Sequence, residues 1–298
     1  MAENISISEY NAFGPWVYEI TESHPVPRLF APFFNEDDQA LMKIKIPREI
    51  DRRNATPDMD LYDYVIALYE DQLRILERQD NTVKGHTIYA HDFMGIRIYK
   101  NLLIAACTVF SSDGATSFSF NTVSIDVVED FVELAIKTMA KKNQTDEMPD
   151  ITALPVSSSE PESMLIQSML HKLNMKRNDI SQGALQNAVD VYRKGDTATM
   201  IERMVWKEMN PEALHLYTDK DLIILENGFF PNRAGMPDFG YTYTVIPLNK
   251  ISGVEITESQ EYSLLNVCTL YVGPNRIKYH YDIDNEEVTT FYEAIKNL

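Results

Sequence analysis

From residue 64 onwards, short apolar runs alternate with polar turns. Residues 64–69 and 73–76 are rich in β-branched and aromatic side chains and flank the polar turn 70–72, a pattern typical of a β-hairpin. Four further short runs follow, at residues 88–90, 95–99, 102–110 and 117–123. The pattern predicts a set of antiparallel strands.

After these strands the apolar residues take up helical spacing. They follow an i, i+3, i+4, i+7 pattern and are Val128, Phe131, Val132, Ala135, Ile136 and Met139. Asp126 and Glu129 are spaced as a capping box at the start of this segment. We predict an amphipathic helix that buries one face.

The same succession is predicted again in the carboxy-terminal third of the chain. The predicted strands cover residues 213–217, 222–225, 241–247, 251–257, 264–271 and 277–281. A final helix, capped by Asp284 and Glu287, then presents one apolar face made of Val288, Phe291, Tyr292 and Ile295.

The two series also agree partly in their letters. Residues 68–77 return as residues 216–226, with one residue inserted in the polar turn. The segment that begins at Cys107 is echoed by the segment that begins at Cys268, in the same order. Two copies of one module explain this self-similarity. Each cysteine is then expected to be a small buried hydrophobe of its own module.

The pattern divides the chain into five regions. Prolines exclude a long helix from the aromatic amino-terminal arm, which we expect to pack along the first module, with a partner or membrane contact as the alternative. The segment between the modules is expected to carry helices at residues 164–173, 185–192 and 197–209. The regions are an arm (1–60), module 1 (61–140), a linker (141–162), a helical insert (163–210) and module 2 (211–298).

Residues 216–224 and 244–256 resemble the bacterial pleckstrin-homology (PH) and GRAM-like families. The first segment reads LYTDKDLII, like the family's hairpin, and the second reads TVIPLNKISGVEI, like the strand that follows it. The likeness covers residues 211–298 and extends through the repeat to residues 61–140. It implies an α+β fold of two PH-like antiparallel β-barrels, each with a carboxy-terminal capping helix, plus a helical insert between them.

The resemblance also bears on ligands. Members that bind phosphoinositides use Lys and Arg in the turn between the first two strands, since phosphates need cationic donors. The corresponding turns here, residues 70–72 and 218–221, are mainly acidic and carry only Lys220 as a cation. Binding of a lipid headgroup in these turns is therefore not expected.

The net charge is the feature of the composition that bears most on possible partners. The chain carries a formal charge of −18 over 298 residues, with 44% hydrophobic residues, which is typical of a globular protein. Phosphate backbones repel so acidic a chain, so we expect no nucleic-acid partner. The amino terminus lacks the pattern of a signal peptide, and we expect a cytoplasmic location.

One stretch departs from the acidic background. A basic cluster lies within the arm, and Glu49 and Asp51 interrupt it, so a solvated face is one interpretation and an interaction surface the other. The candidate interaction surface consists of Trp16, Phe30, Phe33, Phe34, Lys43, Lys45, Arg48, Arg52 and Arg53.

The sequence contains no common catalytic motif, and we predict no catalytic residues, cofactor or metal site. The strongest metal candidate is His86 with His91 and Asp92, against the interpretation that these are ordinary loop or core residues. Three functions stay open. They are a non-enzymatic binding or scaffold protein that recognises a protein partner or itself, a peripheral membrane adaptor that uses the arm and the basic cluster, and a metal-dependent enzyme.

Overall fold

A computed structural model describes residues 9–35, 38–142, 149–195, 208–228, 232–233 and 240–298. The fold is of the predicted α+β class, and its sheets are built mostly from antiparallel strand pairs. Helices account for only three long elements of the described chain.

The first series of elements ends with one helix. Its strands are β1 (Tyr18–Glu19), β2 (Met42–Pro47), β3 (Tyr62–Leu68), β4 (Gln72–Gln79), β5 (Thr82–Tyr89), β6 (Phe93–Asn101), β7 (Ile104–Ser111) and β8 (Gly114–Asn121). Helix α1 (Ile125–Lys142) follows, so Asp126 lies inside its first turn rather than at the predicted cap.

The second series begins after helix α2 (Met164–Lys176) and also ends with a helix, α3 (Glu286–Lys296). Its strands are β9 (Ser181–Gln186), β10 (Val189–Arg193), β11 (Glu208–Asn210), β12 (Ala213–Tyr217), β13 (Asp221–Glu226), β14 (Asn232–Arg233), β15 (Tyr241–Pro247), β16 (Ile251–Glu258), β17 (Tyr262–Ser263), β18 (Leu265–Val272) and β19 (Asn275–Asp282).

The two series share one order of principal elements. The first series runs through β2, β3, β4 and β5, a 3-10 turn, then β6, β7, β8 and α1. The second series runs in the same order through β9, β12, β13 and β15, a 3-10 turn, then β16, β18, β19 and α3. The hairpin turns also share a hydrogen bond, because Tyr69 N donates to Gln72 O and Thr218 N donates to Asp221 O. Each turn therefore has three residues, and the inserted residue inferred from the letters is wrong.

Strand pairing explains that error. Leu68 pairs with Leu73 in the first hairpin, whereas Tyr217 pairs with Leu222 in the second. The counterpart of Leu68 is thus Tyr217 and not Leu216. The matching Leu-Tyr letters are displaced by one residue between the two folded hairpins.

The strands form four sheets, and none closes into a barrel in the described part of the chain. One sheet has the order β1-β2-β3-β4-β5, a seven-stranded sheet has the order β8-β7-β6-β15-β13-β12-β9, and two smaller sheets are β14-β11-β10-β17 and β16-β18-β19. The described residues do not form the predicted closed barrels, because the chain changes sheets at two 3-10 turns, Ala90–Asp92 and Leu248–Lys250. After the first such turn, β6 pairs with β15 instead of closing on its own series.

The described residues divide into two compact units. Unit 1 draws on residues 1–93, 103–106 and 117–145, and unit 2 on residues 94–102, 107–116 and 146–298. The division passes through β7 and β8, so the units do not coincide with the predicted module boundaries.

The arm is part of the core of unit 1. Its strands β1 and β2 extend the sheet of β3 to β5, and Phe13 and Phe30 pack with Leu61, Val65 and Leu76. This confirms that the arm packs along the following strands. The arm is nevertheless more regular than predicted, since β2 pairs with the whole length of β3.

Helix α3 closes the apolar core of unit 2. Its buried residues are Val288, Phe291, Tyr292 and Ile295, as the sequence predicts. Asn285, and not Asp284, caps the helix by accepting from Val288 N. Glu287 instead accepts from the backbone of Leu185 in β9.

The predicted helical insert is mostly wrong where it is described. Only α2 is helical, whereas the segment predicted as a helix at 185–192 lies in β9 and β10. Pairing of β9 with β12 satisfies the backbone in extended form, and this tertiary contact outweighs the local helical spacing. The predicted helix at 197–209 lies mainly outside the described residues, and residues 208–210 form a strand.

Candidate functional site

The candidate site is a groove in unit 1. It has a volume of about 490 Å³ and lies between the arm and the ends of β7 and β8. Its lining is mainly apolar, with Arg48 and Arg52 among the polar members. We call it the arm groove; its apolar lining consists of Phe13, Pro15, Pro47, Ile50, Leu103, Ile104 and Phe120.

Hydrogen bonds fix the wall of the arm groove that the arm provides. Arg52 donates to the carbonyl oxygens of Tyr10 and Phe13, the latter at 2.9 Å, and its guanidinium lies 4.2 Å from the Tyr10 ring centroid. Val17 N donates to Ser124 Oγ at 3.0 Å. Because these bonds hold backbone atoms, the wall is built before any ligand arrives.

The opposite wall carries an exposed apolar run. Leu102, Leu103 and Ile104 are 62%, 65% and 62% exposed, and the last two line the groove. Leu102 has a positive φ of 48°, which a branched side chain adopts only at a cost in a turn. Three consecutive exposed aliphatic residues are unfavourable on a protein surface and are expected only where they serve a function.

The charges around the arm groove nearly balance. Arg48 donates to Asp60 O at 3.1 Å and lies 3.8 Å from an Asp63 carboxylate oxygen. Glu49 and Asp51 also line the groove. Two hydrogen bonds from Arg53 lower the pKa of Asp51, which keeps that carboxylate charged. The site is therefore an apolar groove with a mixed rim, and not an anion site.

The predicted interaction surface is dispersed by the fold. Phe30 and Lys45 are buried at 0% and 2% exposure and cannot form part of an outer surface. Lys45 donates to Pro25 O at 2.8 Å, and burial lowers the pKa of its amine to about 8. The remaining members stay at or near the surface, and of these only Arg48 and Arg52 line the groove.

Those remaining members form small separate groups. Trp16 and Phe33 are 43% and 40% exposed. Lys43 pairs with Asp38 at 2.7 Å and lies over the Phe34 ring. Arg53 pairs with Asp51 in solvent.

Sequence reasoning missed the apolar half of the groove. Leu103 and Ile104 were assigned to the interior of a strand spanning residues 102–110, whereas β7 starts only at Ile104. The available signal was a run of aliphatic residues directly after Asn101, at a position where a hairpin turn normally carries Gly or Asn. Phe120 gave no such signal, because alternating aromatic residues are ordinary in strands.

A second polar cluster lies inside unit 2. Arg97 donates to Thr244 Oγ1 at 2.9 Å and to the Tyr279 hydroxyl at 3.1 Å. Burial raises the pKa of the nearby Glu226 to about 7, an effect that the charge of Arg97 opposes. Burial also raises the pKa of Tyr279 to about 12. These groups satisfy one another within the core.

His215 belongs to the same core. Its side chain is 2% exposed, and Nδ1 lies 2.9 Å from the Tyr292 hydroxyl. Burial lowers the pKa of His215 to about 3, so the imidazole is neutral in the folded protein at physiological pH. His215 and Tyr292 are both buried, so their hydrogen bond is a contact within the core.

The candidate metal residues do not gather around one point. His86 pairs with Ile75 within the sheet, while His91 stacks on Tyr89 and lies 3.3 Å from Asp92. Within the ranges that the structure covers, no three His, Cys, Asp or Glu side chains converge as metal ligands would. Cys107 and Cys268 are buried and unpaired, as expected from their equivalent positions.

None of the helices in the described ranges is long and apolar enough to cross a bilayer. The chain matches no protein-family model, and no curated protein is significantly similar to it. The candidate site therefore has to be interpreted from its own geometry.

Proposed function

We propose that this chain is a non-enzymatic binding protein, built from two PH-like modules, that docks an apolar segment of a partner protein in the arm groove. The module assignment is supported by the shared order of elements. Each series has four principal strands, a 3-10 turn, three strands and a helix, which is the seven-stranded plan that the family resemblance implies.

One observation carries the proposed docking site. The exposed Leu103 and Ile104 line a groove of about 490 Å³ whose opposite wall is held by hydrogen bonds. Exposure of such a run to water is unfavourable by about 25 cal/mol for each Å² of apolar surface. A partner that covers the run therefore gains binding free energy. Preformed walls keep the entropic cost of docking low.

The shape and the charge of the groove favour a peptide segment over a bilayer. A concave site admits inserted aliphatic or aromatic side chains, whereas a membrane presents a broad surface that does not fill it. Glu49 and Asp51 at the rim repel anionic lipid, as does the net charge of −18. A peripheral membrane adaptor is the second candidate, and the exposed side chain of Trp16 in the arm is the observation in its favour.

The test is selection of peptides from a random display library on the full chain, followed by calorimetry with the purified peptides. We expect selected peptides to share two or more large apolar side chains and to bind with micromolar affinity. The Leu103→Ser/Ile104→Thr variant should weaken that binding at least about tenfold, because two lining side chains lose their apolar contact.

Leu264→Ser supplies the matched control. Leu264 is 61% exposed and also has a positive φ, of 63°, but it belongs to the second series and does not line the groove. Equal loss of binding in both variants contradicts the proposal. Binding of the wild type to anionic phospholipid vesicles that Leu103→Ser/Ile104→Thr abolishes, with no peptide selected, would instead favour the membrane adaptor.

A further inference from the structure

Strands β6 and β15 are antiparallel neighbours in unit 2. Their register places Tyr241 opposite Lys100, Thr244 opposite Arg97 and Val245 opposite Ile96. Every residue of β15 is buried. The fourth principal strand of the second series, β15, therefore has a partner on each side, β13 and β6.

Each of these two strands has a counterpart in the other series. Residues 83–100 match residues 241–258 without a gap: both segments contain a strand, a three-residue 3-10 turn and a second strand with glycine at its third position. Those glycines are Gly95 and Gly253. Strand β5 is thus the counterpart of β15, and β16 is the counterpart of β6.

The counterparts lie at sheet edges. Strand β5 is paired only with β4, and β16 only with β18, in the described chain. Lys84 and Gly85 are exposed on β5, and Glu255, Thr257 and Glu258 are exposed on β16. An edge strand presents unpaired backbone N–H and C=O groups to any strand that can approach.

The exposed side chains Glu255, Thr257 and Glu258 all belong to the second half of β16. The end of α3 lies beside its first half, where Ile295 and Lys296 share a cavity of about 450 Å³ with residues 251–254. The pairing of β6 with β15 uses the positions that correspond to residues 254–258. Three of these five residues, Glu255, Thr257 and Glu258, have exposed side chains.

Transferring the β6·β15 register to the free edges gives a complementary pair. Lys84 then faces Thr257 and lies diagonally to Glu255, while His86 faces Glu255. Cross-strand pairs of opposite charge stabilise a sheet, and like charges destabilise it. The cation on this part of the β5 edge is Lys84, and the β16 edge carries the carboxylates Glu255 and Glu258, of which Glu258 already pairs with Lys194. Pairing of the unlike edges is therefore favoured over pairing of like edges.

We propose that β5 of one copy pairs with β16 of a second copy, in the register that β6 and β15 use within the chain. The occupant of each edge is then another molecule of the same protein. Because the two edges differ, the contact is heterologous and produces a ring or an open chain of copies rather than a two-fold dimer. A pairing of five residues is small, so the association is weak and depends on concentration.

Mixed single-cysteine variants test the register on the full chain. We expect Lys84→Cys mixed with Thr257→Cys to form a covalent dimer under mild oxidation. The mixture of Lys84→Cys with Ser252→Cys is the matched control, since position 252 lies five residues out of register, and it should react about tenfold less. The native Cys107 and Cys268 do not interfere because both are buried.

Sedimentation velocity tests the charges independently. Lys84→Glu should weaken self-association about fivefold, and mixing Lys84→Glu with Thr257→Lys should restore it. A protein that stays monomeric up to its solubility limit overturns the proposal. Equal cross-linking in the two mixtures, or dominant Lys84→Cys homodimers, also overturns it. None of these outcomes depends on peptide binding in the arm groove.

Discussion

The first sheets of the two series have the same strand order, but different segments pack over them and different strands form their edges. The outer face around Val65 and Leu76 is covered by the arm, whereas helix α2 contacts β13 on the corresponding sheet of the second series. Strand β5 is an edge, and its counterpart β15 is buried between two strands. One strand order can therefore be completed by different neighbours, and the neighbours decide which residues are exposed.

The largest expected loss of stability comes from a substitution in the arm that packs over the first sheet. Phe30→Ala should lower the free energy of unfolding by about 4 kcal/mol, because Phe30 is fully buried between the arm and the sheet. Denaturant unfolding followed by circular dichroism measures this loss. Phe33→Ala is the control, since Phe33 is 40% exposed and should cost less than about 1 kcal/mol. Similar losses for both variants would mean that the arm does not cover the sheet.

The second prediction concerns the bulge that distinguishes β9 from β2. Gly183 lies at the register shift in β9, and a Cβ there would stand 2.1 Å from a ring carbon of the buried Phe291. Gly183→Val should therefore cost about 3 kcal/mol of unfolding free energy. Gly253→Ala is the control in β16, because its nearest contact, Tyr271, is at 3.7 Å. A stable Gly183→Val protein would contradict the packing of α3 against β9.

The third prediction uses the polar pair that replaces an apolar contact. His215 occupies the position of Ile66, and both pair with the second strand of their hairpins. The folded pKa is about 3, below the ordinary value of 6.5. Between these values the unfolded chain binds the proton and the folded chain does not. The stability of the wild type therefore falls as the pH falls through this window, by about 1.4 kcal/mol per pH unit.

The His215→Ile/Tyr292→Phe variant should remove that part of the pH dependence, because it removes the imidazole that titrates. Urea unfolding from pH 7 to pH 4 measures the slope. Tyr292→Phe alone keeps His215 and should keep the slope, while costing about 1–3 kcal/mol at pH 7 for the lost hydrogen bond. An unchanged slope in the double variant would rule out a buried neutral His215.

The smallest expected effect concerns Lys45, whose counterpart in β9 is the apolar Leu185. Burial lowers the folded pKa of Lys45 to about 8 from the ordinary value of 10.5. The folded state thus loses its proton first as the pH rises, and the wild type gains stability between pH 8 and pH 10.5. Lys45→Met should lack this gain in denaturant unfolding. Lys43→Met, on the same strand, is the matched control, and an equal change in both variants would contradict the burial of Lys45.

Much of the strand pattern could be predicted from local sequence. Residues 241–247 were predicted as a strand and form β15 with the same bounds, and α3 buries the four predicted residues. Alternation and helical spacing report directly on which face of an element is buried. The candidate site was predicted less well: Arg48 and Arg52 line the groove, but Leu103, Ile104 and Phe120 join them only because distant segments meet.

The sequence by itself determined the α+β class, two series of strands that each end in a helix, and an arm that packs on the first series. These properties follow from contacts between residues close in the chain and from the cost of leaving aromatic side chains in water. Tertiary structure alone decided that β6 joins β15, that residues 181–193 are strands and that Lys45 is buried. Such choices depend on backbone hydrogen bonds and packing between segments far apart in the chain, which local spacing does not encode.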